Sequence, residues 1–214
     1  MWNKVMPMLT LGVVAVSPLQ AQDVQPMTAE QLKIYLPKDE DLETRTDGDL
    51  TGDRVVDTAF IGRGEDKRTL TVLRTVKGEF DIDFEPVGSL ELDAYPQGPA
   101  EMSIAKGVLK IVDLTGGTTA TQATYRYRYD PAARRMRLIG LDATLYSRTY
   151  AHDGFEISWN LLTGDFITQD MKLNKKGGDA AYDPIIEKKG KRPSKPLYME
   201  DTPNPEELIE GLRN

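Results

Sequence analysis

Cysteine is absent from the 214-residue chain, which excludes disulfides, a thiolate metal site, a cysteine nucleophile and lipid attachment through an N-terminal cysteine. Stability must then come from core burial, with or without a bound ion. Histidine occurs once, at His152, beside Asp153 in a glycine-containing loop. An imidazole there could serve as a general base, but no serine stands in a nucleophile-elbow sequence to build a hydrolytic triad around it. Phosphate-binding glycine loops and dinucleotide fingerprints are missing too. Basic residues are outnumbered, 27 against 34 acidic, for a formal net charge of −7. That balance argues against a nucleic-acid partner. Beyond the first 21 residues no run approaches the ~20 apolar residues of a spanning helix, so membrane insertion is not expected.

Those first residues have a pattern of their own. Lys4 and the amino terminus supply positive charge, Val5 to Val16 is largely apolar, and Leu19-Gln-Ala21 ends on a small residue suited to cleavage. Residues 1–21 are therefore expected to be a secretory signal peptide, which makes the protein an exported one, periplasmic or secreted. Residues 22–46 form a lead with a short helix. Thr28-Ala-Glu-Gln31 has the capping-box arrangement, and the helix through Leu32, Ile34 and Tyr35 should stop before Pro37. Lys38 to Thr46 is expected to be a connecting loop.

From Val55 the apolar period becomes two, and residues 47–171 are expected to be a β domain. Leu70 and Val72 share one strand face. Phe80-Asp-Ile82-Asp-Phe84-Glu alternates without a break, which predicts Phe80, Ile82 and Phe84 buried and the acids wet. Residues 88–104 suggest an irregular loop. Strand character returns at Val108–Val112, and Tyr125-Arg-Tyr127-Arg-Tyr129 turns at Asp130-Pro131 into Met136–Leu141, a hairpin. A last pair, Phe155–Leu161 and Phe166–Met171, closes the run. Residues 172–214 are expected to be a charged tail with a short terminal helix, where Asn204-Pro205-Glu206-Glu207 supplies N-cap, proline and acidic first turn. The fold class is mainly β. About seven to nine antiparallel strands should form a meander, curled into a sandwich, barrel or propeller-like sheet with short helices at both ends.

The densest chemistry lies at Asp47-Gly-Asp49-Leu-Thr51-Gly-Asp53-Arg-Val55-Val-Asp57, where four carboxylates fall within eleven residues. Like charges so crowded need water or a cation. Gly48 and Gly52 let the backbone fold back so that the acids could converge, and hard oxygen donors on a tight loop suit calcium. The other reading is a solvated turn whose aspartates cap backbone amides.

The stretch from Gly48 to Ile61 resembles the calcium loop and following strand of FG-GAP/VCBS-type (integrin-like) repeats. The later segments Gly107–Ile111, Tyr125–Asp130, Arg137–Asp142 and Ser158–Gly164 are similar to uncharacterised bacterial exported proteins carrying one such loop. The resemblance implies a metal site of Asp49, Thr51, Asp53, the carbonyl of Val55, and Asp57. Thr51 stands where a carboxylate or amide is usual. Arg54 replaces the usual turn glycine, and its guanidinium could take the ion's place beside Asp49 or Asp57.

Arg126, Arg128, Arg134, Arg135 and Arg137 form a basic stripe that could receive an anionic polymer or acidic partner. The simpler reading pairs them with carboxylates such as those of Phe80–Glu85. The tyrosines opposite them and Trp159 are expected in the core. Function is expected to be that of an exported non-catalytic β module that binds a protein or glycan, with calcium as a stabilising cofactor where the acidic loop holds the ion. The alternatives are a cell-envelope hydrolase and a proteinaceous inhibitor or assembly accessory. Oligomeric state is left open.

Overall fold

In the computed structural model, which describes residues 26–176 and 180–213, Thr28 and Gln31 form the capping box. The Gln31 amide donates to Thr28 Oγ1 at 3.2 Å, and the Thr28 amide donates to Gln31 Oε1 at 2.8 Å. Helix α1 (Ala29–Tyr35) follows and stops ahead of Pro37. The segment expected to be cleaved on export lies outside the described residues.

Eleven strands follow among the described residues. Strands β1 (Asp41–Gly48), β2 (Asp57–Arg63), β3 (Arg68–Lys77) and β4 (Ile82–Leu92) make one sheet in that order. Strands β5 (Glu101–Ala105), β6 (Val108–Gly116), β7 (Thr119–Asp130), β8 (Arg135–Ser147), β9 (Gly154–Asn160), β10 (Asp165–Met171) and β11 (Ile186–Lys191) make a second. Every pairing is antiparallel and joins chain neighbours, so both sheets are meanders and neither closes on itself. Helix α2 (Pro205–Arg213) ends the described chain, with Asn204 Oδ1 accepting the amides of Glu206 and Glu207 at 2.9 and 3.1 Å.

One core joins the sheets. Ala59, Ile61, Leu70 and Val72 from the first meet Leu109, Ile111, Tyr127, Leu138 and Leu141 from the second. Close backbone approaches seal the two ends of this contact. A Cβ on Gly48 would lie 2.8 Å from Ile104 Cγ2, and one on Gly88 would lie 2.9 Å from Met199 Sδ. The first sheet is also buried on its far side, because α1 brings Leu32 and Tyr35 onto Phe60, Leu73 and Phe84. On the second sheet α2 covers Ala143, Leu145, Phe155 and Ile157 through Leu208 and Ile209.

The mainly β fold with terminal helices agrees with the sequence, as does the β7–β8 hairpin with Tyr125 and Tyr127 buried and Trp159 in the core. The Phe80–Glu85 register does not. Phe80 is 93% exposed and Ile82 44%, because the β3–β4 turn consumes residues 78–81. The Gly78 amide donates to the Asp81 carbonyl at 2.9 Å, and pairing resumes only at Lys77 with Ile82. Phe80 therefore caps a turn, and Phe84 alone of the three packs, edge-on to Tyr35 at 6.3 Å.

Four strands occupy, in whole or in part, stretches expected to be loop or tail. These are β1, most of which falls in 38–46, the end of β4 and nearly all of β5 in 88–104, and β11 within the charged tail. Strand β11 is exposed throughout. Lys188, Lys189 and Lys191 on this edge disfavour pairing with another chain.

Candidate functional site

The acidic loop runs from the end of β1 to the start of β2. Leu50 is the apolar anchor that presses it onto the shared core, at 4% exposure. Around that anchor each aspartate has amide partners. Asp49 Oδ1 accepts the amides of Thr51 and Gly52 at 3.1 and 2.6 Å, and its Oδ2 accepts that of Arg54 at 2.9 Å. Asp53 Oδ1 accepts the Val55 amide at 2.9 Å. Asp57 is fully buried, and its two oxygens take the Leu50 amide at 2.8 Å and the Thr75 amide at 2.9 Å. Burial pushes the Asp57 carboxyl up to about 6 against those two amide bonds, with smaller contributions from Asp53 and Asp49. Asp47 is outside this set, bound to Arg45 at 2.8 Å and to the Thr58 hydroxyl at 2.7 Å.

Arg54 lies at φ +67° and Gly52 at φ +82°. The backbone thus keeps the left-handed turn for which glycine is usual, at a cost to arginine of about 1–2 kcal/mol. The amide of Arg54, rather than its guanidinium, bridges to Asp49.

As placed, these donors do not fit calcium. Among the described residues no group of three acidic or imidazole side chains gathers around a common point, and the oxygens of Asp49 and Asp57 already accept amides. The Thr51 hydroxyl is buried and has no hydrogen-bond partner. The melting temperature is therefore expected to be the same in millimolar calcium and in chelator. A rise with calcium that Asp53→Ala abolishes would restore the metal reading.

Beside this loop opens a cleft of about 540 Å³ lined by Asp49, Leu50, Gly52, Lys106, Arg128 and Tyr129, among others. Its far wall is the two-residue β5–β6 turn. Lys106 and Gly107 there have φ of +52° and +72°, the pair of left-handed residues that matches strand twist in a tight hairpin. Opposite them stands the outer end of β7.

The arginine stripe divides in the folded protein. Arg126 pairs with Asp142 at 2.7 Å, Arg134 with Glu85 at 2.8 Å, and Arg135 with Glu200 at 2.8 Å. Arg128 and Lys106 take part in no ion pair among the described residues, and both line the cleft.

His152 is held between the Thr119 hydroxyl at 2.9 Å and the Asp153 carbonyl at 2.8 Å. The Asp153 carboxylate turns instead to Lys172 Nζ at 2.9 Å and the Leu173 amide at 2.8 Å.

A buried ion cluster escaped the sequence reading. Arg68, with no exposure, spends all five N–H groups on Glu43 at 2.7 and 2.9 Å, Asp113 at 3.1 Å twice, and the Asp93 carbonyl at 2.8 Å. Burial works against its charge, but the two carboxylates outweigh that and hold its pKa above the ordinary guanidinium value. The signal was available in β6, where period two places Asp113 inward with Leu109 and Ile111.

Comparison with known family models, curated proteins and solved structures finds no match for this chain.

Proposed function

We propose that the chain is an exported, non-catalytic β module that binds a glycan at the open cleft beside its acidic loop. The carrying observation is that cleft, whose two cations have no protein partner although the chain as a whole is acidic. Its volume falls within the ~300–1,000 Å³ usual for ligand sites. The acidic loop is proposed to be a relative of the FG-GAP/VCBS-type turn in which backbone amides do the work of the ion. Its shape supports this, since Arg54 holds the φ of the missing glycine. The apolar, lysine-led start of the sequence supports export. Among the described residues no helix is long and apolar enough to cross a membrane.

The absence of cysteine allows a direct test. Lys106→Cys gives a unique thiol on the cleft wall, and a bulky maleimide there should block it. Affinity electrophoresis through gels containing soluble polysaccharides is expected to show retardation of the unlabelled protein and its loss on labelling. Retardation that survives the label would overturn the cleft as the site. A protein captured from envelope extract, and released by the same label, would assign the cleft to a protein partner instead.

A further inference from the structure

The chemistry of the cleft goes further than its shape. Resting on the reading of this cleft as a glycan site, we propose that its ligand is an acidic sugar, a uronate unit held through its carboxylate by Lys106 and Arg128. Three observations lead there.

First, the two cations stand on different elements, Lys106 at the tip of the β5–β6 turn and Arg128 near the end of β7. The strand register links them, since Ala105 pairs with Val108 and Val108 in turn pairs with Arg128. Lys106 is thus set in a two-residue turn closed by the Ala105–Val108 pair, and Arg128 on the strand paired with Val108, so hydrogen-bonded pairing fixes both backbones.

Second, Arg126, Arg134 and Arg135 of the same hairpin each have an acid, whereas Lys106, Arg128 and, outside the cleft lining, Arg137 do not among the described residues. Asp49, the carboxylate on the opposite wall, has its oxygens taken by three amides of its own loop. It is therefore poorly placed to turn away and neutralise either cation. The lining carries two positive charges against one negative, so an anion entering the cleft gains where a neutral group does not. A guanidinium presents a planar fork that matches a carboxylate, and a lysine ammonium adds a point charge beside it.

Third, the cleft is open and its walls are about half polar and half apolar, with Leu50, Ile104 and Tyr129 among the apolar part. A sugar ring has one polar rim and an apolar face, and such walls suit it better than they suit an apolar ligand. Tyr129 already receives the Arg74 guanidinium over its ring, at 5.8 Å, which fixes the ring for contact on its other side.

The test uses the mature full-length protein, oligogalacturonate as the acidic probe and its methyl ester as the neutral one. Titration calorimetry is expected to show binding of the acid that weakens as salt is raised, and none of the ester. Lys106→Gln and Arg128→Gln should each weaken it about tenfold, the effect of one charge-assisted hydrogen bond. Both residues are exposed, so the variants should melt with the wild type, and circular dichroism checks this. Equal binding of acid and ester would overturn the carboxylate inference while leaving a glycan cleft in place. Binding of the acid that neither variant weakens would overturn the assignment of these two residues. Binding of neither probe would overturn the inference too, with the maleimide experiment then judging the cleft separately.

Discussion

Replacing Arg68 by Met is expected to lower the free energy of unfolding by about 3–5 kcal/mol, the range for breaking a buried ion pair from one side. Met fills much of the aliphatic volume, so the loss measures charge rather than a cavity. The cause is what remains behind. Glu43 and Asp113, each with side chains 3% exposed, would face each other across the interior without a cation. The Asp93 carbonyl would lose its donor as well. Glu43 keeps only the Ala100 amide at 3.1 Å. Arg68 and Glu43 belong to the first sheet and Asp113 to the second, so the same change should loosen the contact between sheets. Urea denaturation followed by tryptophan fluorescence gives the number, since Trp159 sits in the shared core. Adding Glu43→Gln and Asp113→Asn to Arg68→Met should return part of the loss by removing the stranded charge. A single-variant loss below about 1 kcal/mol, the level of a surface pair, would show that the cluster contributes little.

The second large effect is expected at Asp57. Its carboxylate joins three parts of the chain, since it starts β2, receives the Leu50 amide from the acidic loop and receives the Thr75 amide from β3. Asp57→Ala strands both amides where water does not reach, at about 1–3 kcal/mol each. Against this stands the relief of a carboxylate whose burial is unfavourable, as its raised pKa shows. The amides outweigh that relief, and a net loss of about 3 kcal/mol is expected. Hydrogen exchange distinguishes the mechanism from general weakening. The Leu50 and Thr75 amides should lose protection beyond what the global change explains, while Tyr127 and Leu141 in the second sheet follow the global value. Asp49→Ala, on a half-exposed side chain, should cost about 1 kcal/mol, the usual loss for a capping residue. If Asp49→Ala costs as much as Asp57→Ala, the assignment of Asp57 as the loop's fastener fails.

What could be seen in the sequence followed local rules. The capping box at Thr28 and Gln31 and the N-cap at Asn204 need only neighbours a few residues away. The tyrosine face of β7 needs only period two. Residues with long-range partners were harder. Strand β1, Asp41 to Gly48, is acidic and polar and has no apolar alternation, because its side chains are used for the Arg68 cluster and for Asp47 to Thr58. Phe80 was misplaced because alternation continues through Gly78–Asp81 although the backbone there turns. Strand β2 is buried on both faces, which only the covering by α1 explains. At the loop the aspartates were legible as a constellation, but whether they meet one another or meet amides depends on backbone direction. The cleft was not legible at all, since Lys106 and Arg128 are brought together by the pairing of β5, β6 and β7.

That pairing also bears on how the protein is made. Every hydrogen-bonded strand pair in both sheets joins consecutive strands, so each hairpin can close as soon as its second strand is available, with short turns to order except at β1–β2 and β10–β11. Low sequence separation between partners favours rapid zipping within each sheet. The contacts of greater reach, Arg68 to Asp113 and Gly88 to Met136 and Met199, come when the finished sheets meet. This topology is therefore expected to assemble in two stages, with the ion cluster and the tight glycine approach acting at the docking step. A destabilising change at Arg68 should then slow the late step and leave the early hairpins intact.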